Sequence, residues 1–411
     1  MQLINNQYQI QGLSVIDICE NFGTPLYVYD ADKIIEKITI LKQSFPNINL
    51  KIKYACKALT NISVLKLMRK HGVELDVVSP QELELGLMAG YSGDQITFTP
   101  SGVSFDEIEK AVEVGAKVNL DNLDVLEKFG KLYGASKPCM LRIKPNVAAG
   151  GNHKIMTAHE GSKFGISILQ KAEILAIINK YDIKVVGLHQ HTGSDIKEAN
   201  SFLEVADKMF ELAMAFPDLE ILDFGGGFKV PYKKGDHLTD MHKLGQEISA
   251  SFQNFCKNYG RDLQLWFEPG KFLVSEAGTF FVKTNVVKID PKINFVGVNS
   301  GLNHLIRPMM YDAYHDIINV SNPDDSIKET YNVVGYICET DTFGTDRELN
   351  QVSEGDILAF KNGGAYGYTM ASNYNSRFRP AEVLVINGEA KLIRHRETME
   401  DIIGKQVVVK L

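Results

Sequence analysis

The chain has 411 residues, which exceeds one ordinary globular core and predicts two domains, or one large barrel with an addition. Its 44 Lys and Arg against 51 Asp and Glu give a net charge of −7 with no block of like charges, which argues against nucleic acid or an anionic membrane as a partner. The five cysteines are scattered and form no C-x-x-C pair, which predicts free thiols in a reducing compartment. The N-terminus has no basic segment followed by an apolar run, and no apolar stretch reaches about 18 residues, so we expect a soluble, cytoplasmic protein.

The first two thirds of the chain predict a barrel of parallel strands. An alternating patch at residues 7–11 predicts a short strand, and a strand at 26–29 and a helix at 30–45 follow it. From about residue 50 to 270, short apolar or β-branched runs alternate with amphipathic segments of helical length, which is typical of a parallel sheet with crossover helices. The eight candidate strands are 51–55, 75–78, 96–99, 117–120, 140–143, 184–189, 219–222 and 263–267. Eight such units favour a TIM barrel over an open sheet.

The last third of the chain predicts a second domain. After about residue 278, strand-like segments dominate and helical periodicity is scarce. These segments are FFVKTNVVKI, INFVGV, YNVVGYIC, DILAFK, AEVLVI and KQVVVK. The predicted fold is therefore α/β, with a TIM barrel at residues 26–277 and a mostly β domain at 278–411, which residues 1–25 are expected to join.

Polar residues follow the predicted barrel strands, where the active site of a TIM barrel lies. They are Lys57, Asp76, Ser79, Arg142, His191, Ser194, Gly225, Gly226, Gly227 and Glu268. An amine delivered into a barrel mouth, as at Lys57, suits a Schiff-base lysine, although a solvated surface lysine is the commoner case. The three glycines would let backbone amides approach a phosphate, or would form a tight turn without a ligand. Taken alone, Glu268 in WFEPG is a cap or turn carboxylate.

Two further features concern histidines and C-terminal loops. His189 and His191 point the same way from one strand end, but no matching third ligand is nearby, so a stacking or hydrogen-bonding imidazole is favoured and no metal is expected. The segments 338–349 and 363–380 combine glycine, aromatic and ionisable residues, a mixture more typical of functional than of structural loops. For Cys338 alone, the alternative is a buried apolar thiol.

With these residues collected, the chain resembles the diaminopimelate and ornithine decarboxylase family over more than three quarters of its length. The motifs that carry the resemblance are, in order, YACKA, DVVSPQEL, SKFGI, GLHQHTGSD, GGGF, EPGK, LIRPMMYDAYH, CETDTF and GAYGYTMASNYNSR. The resemblance implies an alanine-racemase-like barrel that binds pyridoxal 5'-phosphate, and a decarboxylase that acts on an amino acid.

The resemblance also implies a role for individual residues of the barrel. Lys57 would hold pyridoxal phosphate covalently, His191 would stack on its ring, and Glu268 would pair with the ring nitrogen. A carboxylate there favours the protonated ring, which is the stronger electron sink. The other implied cofactor-binding residues are Ser194, Gly225, Gly226, Gly227, Pro269, Gly270, Lys271 and Tyr366.

For the chemistry, the resemblance implies a homodimer with a shared active site. Cys338 would cross the interface and protonate the carbon that loses carbon dioxide. The implied substrate is meso-2,6-diaminopimelate, with Arg307 and Tyr311 at its far carboxylate and Glu339 at its far ammonium. Lys271 and Tyr366 complete the implied substrate-binding set.

The chain departs from the family pattern in three places, and three rivals remain. Lys271 replaces the arginine of EPGR, HQHTGSD replaces H-C-H-x-G-S-Q, and Asn299 replaces an aspartate. Lysine keeps the charge but loses the two-pronged geometry of arginine. The rivals are a decarboxylase of ornithine, arginine or carboxynorspermidine, an alanine-racemase-like enzyme, and a non-catalytic protein that binds pyridoxal phosphate. Glu339 directly after Cys338, together with Arg307, favours diaminopimelate.

Overall fold

Two compact units make up the computed structural model of the chain. The structure describes residues 1–146, 162–191, 193, 199–233, 235–236, 238–323 and 326–411, with the backbone alone at 199–201. The barrel unit comprises Glu36–Val230 and His237–Leu273. The β unit comprises Met1–Ile35, Pro231–Asp236 and Val274–Leu411.

The barrel unit is built on eight parallel strands, counted over the described residues, and the predicted TIM barrel is confirmed. In chain order the strands are Asn49–Ala55, Glu74–Val77, Ile96–Phe98, Lys117–Leu120, Cys139–Lys144, Val185–His189, Ile221–Asp223 and Gln264–Phe267. Each strand pairs in parallel with the next, and the last pairs with the first, which closes the barrel. A short strand, Ile166–Ser167, adds to the edge of Cys139–Lys144. All carboxyl ends therefore lie at one rim.

Helices follow the barrel strands because the sequence supplies apolar stripes and caps. The α-helices that lie wholly within the barrel unit are Ile62–Lys70, Pro80–Met88, Phe105–Glu113, Leu123–Tyr133, Lys171–Tyr181, Ala199–Ala213 and Met241–Tyr259. Ala31–Ser44 and Lys271–Val274 lie at its boundaries with the β unit. Asn61, Asn122 and Asp240 each accept a hydrogen bond from a backbone N–H of the first turn of the helix that they precede. In the part of the chain that the structure describes, no helix has the length and apolar character to cross a membrane.

The β unit contains a nine-stranded sheet and a separate three-stranded sheet among its described residues. The main path of the larger sheet is Thr342–Asn350, Lys328–Val334, Asn294–Val298, Gly278–Lys288, Leu26–Asp30, Ala381–Ile386 and Glu389–Arg394. Ile357–Phe360 pairs with Gly278–Lys288 and with Ile317–Asn319. The smaller sheet is Gln2–Ile4, Gln7–Ile10 and Leu13–Ser14. Among its described residues, the α-helices of this unit are Val15–Phe22, Arg307–Tyr311 and Met399–Ile403, and its 3-10 helices are Tyr368–Met370 and Tyr374–Ser376.

The structure differs from three expectations about strands. Leu26–Asp30, which the predicted boundary at residue 26 assigns to the barrel, pairs instead with Gly278–Lys288 and Ala381–Ile386. The N-terminal patch forms its own small sheet, and its Ile10 side chain is buried in the core with Leu26 and Phe281, while Tyr8 packs against the same core. The segment KQVVVK forms no strand, and Val407, Val408 and Val409 are exposed. A β-branched run becomes a strand only where a neighbour supplies hydrogen-bond partners.

Candidate active site

Lys57 lies at the barrel rim, where the sequence places it. The strand Asn49–Ala55 ends in a single 3-10 turn, Cys56–Ala58, which carries Lys57. Its side chain is exposed, whereas both neighbours, Cys56 and Ala58, are buried. The turn is therefore anchored by its flanking residues while it presents the amine.

Glu268 and His189 form a buried hydrogen-bonded pair at the same rim. Glu268 follows the strand Gln264–Phe267, and its Oε2 atom lies 3.0 Å from His189 Nε2. Burial opposes the charge on Glu268, but the interactions with His189, and then with His191 and Lys57, lower the pKa of Glu268 to about 2. Burial also lowers the pKa of His189. The imidazole is therefore neutral near pH 7 and donates its Nε2–H to a charged carboxylate.

Two further carboxyl groups lie buried beside Glu268, and the sequence analysis gave neither a role. Burial, and then the charge of Glu268, raise the pKa of both Asp76 and Asp223 well above the usual range. Asp223 Oδ1 accepts a hydrogen bond from the Gly225 N–H at 2.9 Å. Both residues lie in barrel strands just before the rim; this position already places Asp76 among the candidate rim residues, and it applies equally to Asp223.

A third possible ligand atom lies close to His189 in the fold, although none is near it in the sequence. Ligand atoms of His189, Asp223 and Glu268 all lie within 4.8 Å of one another. Asp223 and Glu268 follow His189 by 34 and 79 residues, so only the closed barrel brings them together. After burial, the nearby charge of Glu268 is the second cause of the raised pKa of Asp223.

The glycine loop is tightly packed against two strand ends. Gly225 and Gly227 have φ values of +64° and +115°, which side chains rarely tolerate. A Cβ atom on Gly226 would lie 2.4 Å from the Glu268 carbonyl oxygen. In this conformation the Gly225 amide donates to Asp223 and the Gly226 amide donates to His191 Nδ1 at 3.2 Å. Those two amides are therefore engaged within the chain.

His191 is held as a neutral ring. Its Nδ1 atom accepts the hydrogen bond from Gly226, so that nitrogen carries no proton. Burial, and then the positive charges of Lys57 and Arg142, hold the pKa of His191 well below its usual range. A neutral, fixed imidazole suits a flat aromatic ligand.

The remaining predicted site residues of the barrel differ in their positions and structural roles. Ser79 accepts a hydrogen bond from the Glu82 N–H and caps the helix Pro80–Met88, which is a structural role. Pro269 and Gly270 are buried directly after Glu268, and Lys271 begins the short helix Lys271–Val274. Ser194 lies outside the described residues.

In the β unit, Arg307 is a buried cation with neutral partners. It begins the helix Arg307–Tyr311, and its Nε donates to Tyr311 Oη at 2.7 Å. Its Nη2 donates to Tyr232 Oη at 3.2 Å, and its Nη1 lies 3.1 Å from His315 Nε2. Burial, and then the charge of Arg307, lower the pKa of His315 to about 3, so that imidazole is neutral. Tyr311 lies beside Arg307, as the sequence analysis expects.

Cys338 and Glu339 lie on an exposed loop whose backbone is held by hydrogen bonds to Asp341. Cys338 Sγ donates to Glu339 Oε2 at 3.3 Å, and both side chains are exposed. The Asp341 carboxylate accepts hydrogen bonds from the Ile337 N–H at 2.7 Å and the Leu302 N–H at 2.6 Å. Asp341 belongs to the CETDTF motif, but the sequence does not reveal that it anchors the loop, because its partners are set by the tertiary fold.

Tyr366 lies in a strained loop of the β unit. Its φ of +57° is in the left-handed region, which is unfavourable for a bulky side chain. A bulky residue kept in such a conformation often marks a functional site. The side chain is half-buried.

Comparison with known proteins identifies the group to which the chain is related. The family profile described as the pyridoxal binding domain of pyridoxal-dependent decarboxylases matches residues 31–275. The diaminopimelate decarboxylase of Methanothermobacter thermautotrophicus is 34% identical over 98% of this chain and 96% of that protein. The chain belongs to the diaminopimelate decarboxylase family. The Bacillus subtilis family member is 35% identical over 96% of this chain and 94% of its own.

Solved structures of diaminopimelate decarboxylases have the same fold. The Methanocaldococcus jannaschii enzyme is 32% identical, covers 99% of this chain and 98% of its own, and superposes with a TM-score of 0.91. The Helicobacter pylori enzyme in complex with L-lysine is 30% identical, with 95% and 98% coverage and a TM-score of 0.87. A lysine/ornithine decarboxylase from Vibrio vulnificus, at 22% identity and a TM-score of 0.79, shares the fold alone.

The barrel unit fits the pyridoxal phosphate that this decarboxylase family requires. Glu268 is buried and its carboxylate stays charged in the neutral range, which suits a protonated ring nitrogen. The loop at 225–227 packs directly against the backbone of Glu268 and Pro269, so the glycine loop and the carboxylate assigned to the ring nitrogen lie side by side at the rim.

We expect Gly226→Ala to weaken pyridoxal phosphate binding roughly tenfold or more, because the new methyl group must displace backbone at Glu268. Titration of the apoprotein, followed by cofactor absorbance, measures the dissociation constant. Gly363→Ala is the matched control, since its Cβ would meet no atom closer than 3.4 Å. Equal affinity in Gly226→Ala and the wild type would exclude a role for the tight loop.

Proposed function

We propose that this protein decarboxylates meso-2,6-diaminopimelate to L-lysine and carbon dioxide with pyridoxal phosphate as cofactor, in the cytoplasm. The observation that carries the substrate choice is Arg307. It is buried, and its hydrogen-bond partners among the described residues are two tyrosines and a neutral histidine, with no carboxylate. A buried cation without an anion is unfavourable unless a ligand supplies one. The far carboxylate of diaminopimelate has the charge and shape to do so.

The rival substrates lack this second carboxylate. Ornithine and lysine carry only an amine at the far end, so either would leave the Arg307 guanidinium without an anion. A site built for a polar partner rejects the analogue that lacks it more strongly than an apolar pocket rejects a size change. Arg307 therefore favours diaminopimelate over the other decarboxylase substrates.

When bound, pyridoxal phosphate supplies the electron sink that lets a carboxylate leave an amino acid as carbon dioxide. We assign Lys57 to hold it covalently, Glu268 to its ring nitrogen and His191 to the face of its ring. Its phosphate is assigned to Ser194, Gly225, Gly226, Gly227 and Tyr366, with Pro269, Gly270 and Lys271 next to Glu268. The low pKa of Glu268 supports this role, since the carboxylate stays charged throughout the neutral range.

The other groups bind and orient the substrate, and one of them supplies a proton. Arg307 and Tyr311 bind the far carboxylate: Tyr311 Oη accepts from Arg307 and so has its own proton to donate. Glu339 binds the far ammonium, and Lys271 and Tyr366 complete the substrate site. The Cys338 thiol protonates the carbon that has lost its carboxylate. We propose that Cys338 and Glu339 do this in the partner subunit's site within a homodimer.

Product analysis tests the proposed function. Purified protein with added pyridoxal phosphate should convert meso-diaminopimelate to L-lysine and carbon dioxide in equal amounts. Chromatography of the amino acids and trapping of carbon dioxide measure both products. Carbon dioxide from ornithine or arginine, but none from diaminopimelate, would contradict the substrate assignment.

Arg307→Ala should lower kcat/KM for meso-diaminopimelate by roughly 10²-fold and change the much slower turnover of ornithine little. The reason is that only diaminopimelate uses the guanidinium as a carboxylate partner. Steady-state kinetics with both amino acids measure the effect.

Because Arg307 is buried, Tyr311→Phe provides a second, milder variant that removes one hydroxyl group. It should move selectivity in the same direction by a smaller factor. Equal losses for both amino acids in both variants would show that Arg307 supports the fold and not the substrate.

A further inference from the structure

A hydrogen-bonded cluster in the β unit joins the loop of Cys338 and Glu339 to a turn 36 residues later. The Tyr374 hydroxyl donates to Glu339 Oε1, while Cys338 Sγ donates to Glu339 Oε2 at 3.3 Å. Asn375 Nδ2 lies 3.9 Å from Cys338 Sγ and makes a weak contact there. Both oxygens of the Glu339 carboxylate are therefore fixed by the chain.

The protonation states of Tyr374 and Glu339 favour the hydrogen bond between them. The hydrogen bond from Tyr374 lowers the pKa of Glu339, and the same bond raises the pKa of Tyr374 to about 12. Over the neutral range Tyr374 therefore keeps its proton and Glu339 keeps its charge. Both side chains are exposed, and an exposed glutamate without such a contact samples several rotamers.

The backbone on each side of the cluster is held in place. Asn375 and Ser376 both have a φ of +56°, which is uncommon for two successive residues other than glycine. The loop that bears Glu339 is fixed at its base by Asp341, as described above. Tyr374 therefore lies in a turn with a defined backbone conformation, and its hydroxyl can hold the Glu339 side chain, which lies on a different loop.

We propose that Tyr374 is a positioning residue that holds the Glu339 carboxylate where it recognises the far ammonium group of the substrate. This inference rests on the proposed function, which assigns that ammonium to Glu339. One hydrogen bond to each carboxylate oxygen leaves further lone pairs to accept from an ammonium. Tyr374 contributes orientation, since its own neutral hydroxyl offers no charge to the substrate.

Two substrates that differ only at the far ammonium test the inference. Both meso-diaminopimelate and racemic 2-aminopimelate carry a far carboxylate, but 2-aminopimelate lacks the far amine. Tyr374→Phe in the full-length holoenzyme should reduce the preference for diaminopimelate, as the ratio of kcat/KM values, by roughly three- to tenfold. The change should lie in KM for diaminopimelate, with kcat within about twofold of the wild type, because positioning acts on binding.

A double-mutant cycle decides whether Tyr374 acts through Glu339. Glu339→Gln should reduce the preference by itself, and adding Tyr374→Phe to it should cause no further change. Tyr181→Phe is the matched control, since it removes a tyrosine hydrogen bond to Glu127, of 2.7 Å, in the barrel unit. That control should leave the preference unchanged, and cofactor absorbance and melting temperature report the integrity of each variant.

The possible failures are distinguishable. If Tyr374→Phe lowers the preference equally with and without Glu339→Gln, or slows both substrates alike, the positioning role is wrong while the proposed function stands. An unchanged preference for diaminopimelate in Tyr374→Phe would likewise show that the positioning role is wrong while the proposed function stands. If the wild type releases no carbon dioxide from diaminopimelate, the proposed function itself fails, and the inference fails with it.

Discussion

Lys57→Ala should lower kcat by roughly 10³-fold or more, because the variant loses the amine that binds the cofactor covalently and exchanges with the substrate. Wild-type protein with pyridoxal phosphate should be yellow, with an absorbance band near the edge of the visible range that borohydride abolishes. In Lys57→Ala, cofactor should remain removable by dialysis after borohydride treatment. Mass spectrometry of the reduced protein locates the adduct.

The matched control is Lys66→Ala, which removes an exposed lysine from the helix Ile62–Lys70. It should keep the absorbance band and full activity. A reducible covalent adduct that persists in Lys57→Ala would show that another lysine holds the cofactor.

Cys338→Ala should slow decarboxylation by roughly 10²- to 10⁴-fold, the range that a positioned general acid provides. If Cys338 acts in the partner's site, then mixing Lys57→Ala with Cys338→Ala should restore activity. At equal amounts, half of the dimers are mixed and each carries one intact site, so about a quarter of wild-type activity should return. Activity measured before and after subunit exchange checks this.

A second mixture provides the control for the shared site. Lys57 and Glu268 both belong to the barrel unit, so a mixed dimer of Lys57→Ala and Glu268→Ala contains no intact site. That mixture should stay inactive. Recovery there, or none in the first mixture after proven exchange, would refute the sharing of Cys338 between subunits.

The sequence predicts the barrel well because each strand and helix carries its own periodic pattern. The predicted strands at 117–120 and 96–99 lie within a residue of Lys117–Leu120 and Ile96–Phe98. The rim position of Lys57 follows from such a strand, since the carboxyl ends meet at one rim. The residue types that follow each predicted strand are therefore enough to predict which side chains lie at the rim.

Contacts between distant segments are not visible in the sequence. The pairing of Glu268 with His189, and of Tyr374 with Glu339, depends on tertiary folding and has no local pattern. Lys53 shows the same limit: a lysine usually lies in solvent, yet this one is fully buried, 2.6 Å from Glu74 Oε2 and 4.1 Å from the Trp266 ring centroid. Strand partners are equally non-local, which explains the error at KQVVVK.

The most direct test of the proposed function is the ratio of kcat/KM values for meso-diaminopimelate, lysine and ornithine with one preparation of the holoenzyme. Leaving the buried Arg307 without an anion costs a few kcal/mol, which predicts a preference for meso-diaminopimelate of roughly 10²-fold or more over each of the others. Equal or faster turnover of ornithine or lysine would contradict the substrate assignment and leave only the decarboxylase class.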